Sequence, residues 1–358
     1  MRIAIFGSSL VSAYWNGAAT YYRGMVKALA GRGHRVTFYE PNAYQRQEHR
    51  DIEPPPWAEV VVYEPSEQEA DRLVRAAQSA DLLIKTSGIG VLDDFFEGRI
   101  PAARTGGNRV IYWDVDAPVT IARLRSDRPG PLRATLPSFD LVLTYGGGDP
   151  VVRDYLKLGA KSCHPIYNGL DPETHHPVEM DGKYECDLGF LGNRLPDREQ
   201  RVEGFFFRAA EVSPGLHLLL AGNGWADKPR PKNVSYLGHL PTALHNVFNC
   251  SARAVLNICR NSMAENGFSP ATRVFEAAGA GACIITDDWV GIEQFFAPEQ
   301  EILVARNGDE VAGLMEKLTP EQARNIGARA RERALTQHTY AQRAVQFEAA
   351  VAEGGGRP

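Results

Sequence analysis

Short apolar runs recur along the chain, and between them apolar positions return every three or four residues. RIAIF (2–6) stops at Gly7, helical periodicity follows from about Ala18 to Ala30, and RVTFYE comes next. EVVVY (59–63), DLLIK (81–85), RVIYW (109–113), DLVLTY (140–145) and SCHPIY (162–167) continue the series. Continuous apolar runs alternating with amphipathic stretches predict strands of a parallel sheet joined by helices. The polar, proline-rich segment 42–57 reads as a long surface loop.

At NGLDPETHHPVEMDGKYE (168–185) the periodicity disappears and turn formers dominate, with Pro172 and Pro177 among them. The pattern then restarts. CDLGFLG (186–192), a helix over about 198–212, LHLLLAG (216–222), NVSYLG (233–238), a short helix near 242–249, ARAVLNI (252–258), ACIIT and EILVA (301–305) follow, with helices to the end. This predicts an α/β chain of two Rossmann-like domains with parallel sheets. The expected division is an N-terminal domain over 1–167, a linker over 168–184, a second domain over 185–335, and a 336–358 segment. That last segment is read as a helix packing back towards the first domain, with a disordered tail. Ligands of such sheets lie beyond the carboxyl ends of the strands, which points to a cleft between the two domains.

Composition changes this picture little. Hydrophobic residues make up 44% and charged residues 23% of 358 positions, ordinary for a globular enzyme. The net charge of −5 gives no overall attraction to nucleic acid. Five cysteines, at 163, 186, 250, 259 and 283, form no CxxC pair; a disulfide framework or zinc site is not expected, and a reducing cytoplasm suits them. The apolar run before Gly7 is too short for a signal peptide, and no window approaches the ~18 apolar residues of a membrane span. The oligomeric state is not encoded in these features.

The stretch NGFSPATRVFEAAGAGACIITDD (266–288) carries the sharpest chemistry. Ser269 reads as an N-cap and Pro270 as the first helical residue. The N–H groups of Ala271, Thr272 and Arg273 would then form an anion site at the positive end of the helix dipole. Arg273 and Glu276 share a face, one turn apart. Two readings fit: an ion pair on a capped surface helix, or a diphosphate on the helix tip clamped by Arg273, with Glu276 accepting hydrogen bonds from a ribose diol.

The block from Asn266 to Ala305 resembles the C-terminal domain of group-1 glycosyltransferases with the GT-B fold, and is similar to the spore-maturation (CgeB-like) branch. CDLGFLGNRLPDRE, YNGLDPETHHP and HTYAQRA add to the resemblance, which covers most of residues 140–345. It implies metal-independent transfer of a sugar from a nucleotide-diphosphate donor, the donor mainly on the C-terminal domain and the acceptor on the N-terminal one. No metal or other cofactor is implied beyond the donor as co-substrate. Many retaining members carry a further glutamate eight residues before the one matched by Glu276; here Phe268 stands in that place, and the nearest upstream glutamate is Glu265. That residue's role and the retaining stereochemistry therefore do not carry over.

Other candidates follow strand ends. Asn193 and Arg194, after Gly192, and Gly222 and Trp225 are read as donor contacts, with a turn or a core-covering loop as the plain alternative. His239 is read as a donor contact near the base, with a structural or solvated histidine as the plain alternative, and Asn257, a further donor candidate, points with Arg260 and Asn261 to the expected rim of the cleft. In the first half, Gly7, Ser8, Ser9 and Gly17 form a candidate acceptor or phosphate loop; Tyr14 and Trp15 could stack on a sugar. Asp114 and Asp116 in YWDVDAP are candidate general bases towards an acceptor hydroxyl, or else caps of the following helix. The acceptor class stays open: small molecule, glycan or protein. Sugar-nucleotide epimerisation and non-catalytic sugar-nucleotide binding remain competing functions, and a dehydrogenase is disfavoured because the first turn lacks dinucleotide glycine spacing.

Overall fold

In the computed structural model, which describes residues 1–353, the chain forms two compact units, Met1–Asn168 with the helix Tyr340–Glu353, and Gly169–Thr339. The GGGRP tail, expected to be disordered, lies outside the described residues.

The first unit holds a seven-stranded parallel sheet in the order β3-β2-β1-β4-β5-β6-β7. Its strands are β1 (Arg2–Phe6), β2 (Arg35–Pro41), β3 (Glu59–Tyr63), β4 (Leu82–Thr86), β5 (Arg109–Asp114), β6 (Leu141–Thr144) and β7 (Cys163–Pro165). The strand order reverses between β1 and β4, so the crevice for a ligand lies at their carboxyl ends. β4 is buried at every position, as expected for a parallel strand covered on both faces. The helix Tyr340–Glu353 covers one of those faces: Phe347 stacks on Trp113 with ring centroids 5.4 Å apart. A Cβ on Gly24, in the helix Ala19–Gly31, would lie 2.2 Å from the Tyr340 ring, so only glycine admits this helix at that distance.

The second unit repeats the plan with six parallel strands, ordered β10-β9-β8-β11-β12-β13. These are β8 (Cys186–Leu191), β9 (Leu218–Ala221), β10 (Val234–Tyr236), β11 (Ala252–Asn257), β12 (Ile284–Asp287) and β13 (Leu303–Ala305). The reversal falls between β8 and β11. The helical segment Glu199–Val212 contains a π-helical turn at Glu203–Phe207. The small residues after Glu276 serve close packing: a Cβ on Gly279 would lie 2.8 Å from the His175 carbonyl oxygen and 2.4 Å from Leu170. All five cysteines are unpaired. No helix among the described residues is long and apolar enough to cross a membrane.

Candidate functional site

The loops after β8 and β9 are laced together at the switch point of the second sheet. Gly192 N–H donates to Ala221 O at 2.8 Å, and Asn223 N–H donates to Asn193 Oδ1 at 2.9 Å. Gly222 has φ +129°, and a Cβ there would stand 2.3 Å from Gly192 O; the backbones touch because both residues lack side chains. Trp225, expected to shape a nucleotide pocket, is instead fully buried in the core. Its indole N–H donates to Gly192 O at 2.7 Å, and its ring meets Phe190 and Phe207 edge-on. It braces the loop from beneath.

Two arginines converge above this loop. A Cβ built on Gly192 would be 3.0 Å from Arg198 Nη2 and 3.3 Å from Arg273 Nη1. Arg198 donates to Asn193 O and lies over the Phe190 ring. Both Nε atoms are buried without hydrogen-bond partners. Among the described residues neither guanidinium forms an ion pair. Burial, and then the neighbouring Arg273 charge, pull the Arg198 pKa down to about 9; burial also lowers Arg273. Two desolvated like charges side by side are unfavourable by themselves and suit an anion. Arg198 was not singled out in the sequence, where it reads only as the start of a helix.

Arg194, the arginine expected to meet phosphate, is tied up within the loop. It donates to Glu199 at 2.7 Å and to Asp227 at 3.0 Å, and hydrogen bonds to these carboxylates raise its pKa. Asn257 is likewise corrected: its amide donates to Thr286 Oγ1 at 3.0 Å inside the sheet. Arg260 pairs with Asp197 at 2.6 Å, and Asn261 N–H donates to Asp197 O. His239 sits beside Asn223, its Nδ1 3.4 Å from Asn223 Nδ2.

The helix bearing Arg273 and Glu276 begins later than its sequence suggests. It spans Thr272–Gly279 with Ala271 as its uncapped N-terminal neighbour. Ser269 is not the cap: its hydroxyl donates back to Gly267 O at 2.9 Å. Pro270 is not the first helical residue. Gly267 and Phe268 take positive φ values, +69° and +46°, and Phe268 N–H donates to Val290 O at 2.7 Å. This pinning, and the aversion of a pre-proline residue to helical angles, delay the start to Thr272.

Glu276 lies between two histidines. His175 Nε2 is 3.9 Å from one carboxylate oxygen and His245 Nδ1 is 3.8 Å from the other. Burial alone would raise its pKa, but His245, His175 and Arg273 together bring it down to about 2. His175 and His245 were also missed in the sequence, where they stand far apart.

In the first unit the expected phosphate loop is closed on itself. Ser8 and Ser9 are buried; Ser8 Oγ donates to Asn16 Oδ1, and Ser9 Oγ accepts from Ser12 N–H. Leu10 N–H already donates to the Glu40 carboxylate at 2.6 Å, so an internal anion takes the place offered to a phosphate. Gly7 is required by packing, because a Cβ there would lie 2.4 Å from the Phe38 ring. Gly17 is exposed with open space around it. Tyr14 stacks on His49 at 4.2 Å; Trp15 is 76% exposed and adopts φ +47°.

The two aspartates differ. Asp114 is 0% exposed and accepts from Tyr155 OH, Thr120 Oγ1 and Asp116 N–H. Burial raises its pKa. Enclosed this way it anchors the following helix and cannot meet an acceptor hydroxyl, which corrects its reading as a base. Asp116 is half-buried at the start of the helix Ala117–Arg125.

Residues 198–349 match the family described as glycosyl transferase-like. Solved structures agree on the fold across the whole chain. Sucrose-phosphate synthase from Thermosynechococcus elongatus is 15% identical, with TM-score 0.69 over 99% of this chain and 98% of that one. Anabaena HepE in complex with UDP and glucose is 13% identical, with TM-score 0.64 over 99% of this chain and 100% of that one. An alpha-glucosyltransferase in complex with UDP-glucose and DNA containing an abasic site is 13% identical, with TM-score 0.71 over 98% and 99%. No curated protein sequence matches significantly. The fold is GT-B, and the second unit carries most of the match to a glycosyl transferase-like family.

Proposed function

We propose that this protein is a glycosyltransferase that uses a UDP-sugar donor, whose diphosphate lies against Arg198, Arg273 and the Gly192 loop. The carrying observation is the pair of desolvated guanidiniums without carboxylate partners. A diphosphate supplies the missing negative charge, and the same contacts strengthen as the leaving group gains charge during transfer. No metal is needed for that neutralisation. The ribose lies towards Glu276, one turn further along the helix. UDP is favoured because the structures sharing the fold include complexes with UDP and UDP-glucose.

The acceptor is a hydroxyl of a small molecule, glycan or protein, held by the first unit with Tyr14 and Trp15 as its stacking surface. Asp116 takes the hydroxyl proton. The stretches CDLGFLGNRLPDRE and HTYAQRA support the CgeB-like branch, and the unpaired cysteines suit a cytoplasmic setting. The experiment is a thermal-shift series with UDP, GDP, TDP and ADP. UDP should raise the melting temperature by mass action, and Arg198→Ala should abolish the rise. A shift from none of the four nucleotides would refute the donor assignment.

A further inference from the structure

In the first unit Arg46 ties together the loops that follow β1 and β4. Its Nη1 donates to Ser8 O and to Ile89 O, each at 3.3 Å. Ser8 follows β1 and Ile89 follows β4, the two strands between which the sheet order reverses. Such a switch point is where open α/β sheets bind their ligands. Arg46 is only 6% exposed, although its segment reads in the sequence as a surface loop.

Its donors are unevenly used. Nη1 serves two carbonyls, and Nη2 reaches only Trp15 O, at 3.5 Å, the outer limit of a hydrogen bond. Nε is buried with no partner. What remains is the Nε–Nη2 edge, the side of a guanidinium that grips two oxygens of a carboxylate or phosphate at once. No carboxylate closes it. Among the described residues the hydrogen-bond partners of Arg46 are carbonyls, and it forms no ion pair. Glu40 is the acid whose charge it feels, but the two Glu40 oxygens accept from Leu10 N–H and the Gln47 amide. Burial lowers the Arg46 pKa, as for a cation short of compensating charge. The backbone is also strained to hold this arrangement. Tyr44 and Gln45, just before it, take φ +56° and +57°, and Trp15 takes +47°. Such conformations in non-glycine residues gather where function sets the geometry. The Tyr44 hydroxyl donates to Gly90 O at 2.7 Å, and its ring centroid lies 5.0 Å from the Arg46 guanidinium carbon. The side chains of Tyr44 and Trp15 are exposed.

We propose that Arg46 binds an oxyanion of the acceptor, so that the hydroxyl compound held by the first unit is acidic and carries a carboxylate or a phosphate. Two of its oxygens take the Nε–Nη2 edge, Trp15 O giving way on Nη2, and the exposed Tyr44 and Trp15 rings offer apolar faces to the rest of it. A neutral hydroxyl compound leaves the buried cation uncompensated and binds more weakly. The inference rests on the reading of the first unit as the acceptor side and adds the acceptor's charge to it.

The test titrates the full chain with glucose, glucuronic acid and glucose 6-phosphate, read by calorimetry. At least one acidic probe should bind about 10-fold or more tighter than glucose; which one does so tells a carboxylate from a phosphate. Arg46→Gln should erase that preference, and Arg198→Ala should keep it. No preference in the wild type overturns the proposal without any variant, as does a preference that survives Arg46→Gln. Should Arg46→Gln not fold, tryptophan fluorescence decides. The acidic probe should change the emission of the wild type and not that of Trp15→Phe, and equal changes in both overturn the proposal. UDP titrated in parallel separates the two readings. A UDP response with no acidic preference refutes this site alone, and an Arg46-dependent acidic preference without a UDP response refutes the nucleotide assignment alone.

Discussion

Arg198 and Arg273 direct their guanidinium groups at the same glycine, Gly192, although they lie on different helical segments. The result is a pair of cations, the Nε atom of each buried and unpartnered, with no carboxylate between them. Replacing either by alanine should leave the unliganded fold intact and weaken UDP binding. The loss of a charge-assisted hydrogen bond is worth about 1.5–3 kcal/mol, which is on the order of 10- to 100-fold in affinity. Calorimetric titration checks this, and unchanged affinity in both variants would remove the diphosphate from this loop.

Gly222 is held by backbone overlap as well as by its φ. Alanine there would place its Cβ 2.3 Å from Gly192 O at φ +129°. The change should destabilise by about 3 kcal/mol or more, in the range of mutations that force backbone strain. Gly17→Ala, with nothing within 4 Å, should stay within about 0.5 kcal/mol. Urea unfolding midpoints of the two variants give the comparison.

Asp114 and Asp116 should separate cleanly. Asp114→Asn disturbs a buried carboxylate with three internal donors and should cost about 1–3 kcal/mol of stability. Asp116→Asn should leave stability within about 0.5 kcal/mol and lower turnover by roughly 10²- to 10⁴-fold. Equal turnover of Asp116→Asn and wild type, measured with a working acceptor, would leave the proton to another group.

Glu276 has a folded-state pKa near 2 against an ordinary value of 4.5. A depressed carboxylate stabilises the fold above its unfolded pKa and loses that contribution as pH falls through the folded value. Wild type should therefore exceed Glu276→Gln by at most about 3 kcal/mol near pH 6, and the gap should close between about pH 4.5 and 2. Denaturant unfolding across that range is the check. A gap that widens on acidification would contradict the charge arrangement around Glu276.

Trp15 combines high exposure with φ +47°, a backbone region unfavourable to a bulky residue. Trp15→Gly relieves that strain but adds unfolded-state freedom, two effects of about 1 kcal/mol each and opposite sign. Stability should barely change and the UDP-induced shift should persist, while the KM for acceptor rises. An unaltered acceptor KM would mean the ring contributes nothing to acceptor binding.

The alternation of apolar runs and amphipathic segments made the two parallel sheets legible, because strands buried on both faces cannot be written in polar residues. Arg273 and Glu276 were legible too, since one turn of helix places them together. What escaped was set by tertiary contact. Arg198 becomes a neighbour of Arg273 only when β8 and β11 pair, and His175 reaches Glu276 only because Gly279 admits its segment. The errors have the same origin. Ser269, Arg194 and Ser8 carry the residue types of a cap, a phosphate ligand and a phosphate loop, but a nearby backbone carbonyl, carboxylates and a side-chain amide claim them first.

The last helix belongs to the unit that begins the chain, with Phe347 against Trp113 and Tyr340 against Gly24. Truncated genes must respect that circuit. A gene stopped after codon 168 or 339 would yield a first sheet with aromatic flesh laid open to solvent and a tendency to aggregate, whereas codons 169–339 encode an uninterrupted body. A ribosome reading this message has to pass the codons of Tyr340–Glu353 before the opening unit can close.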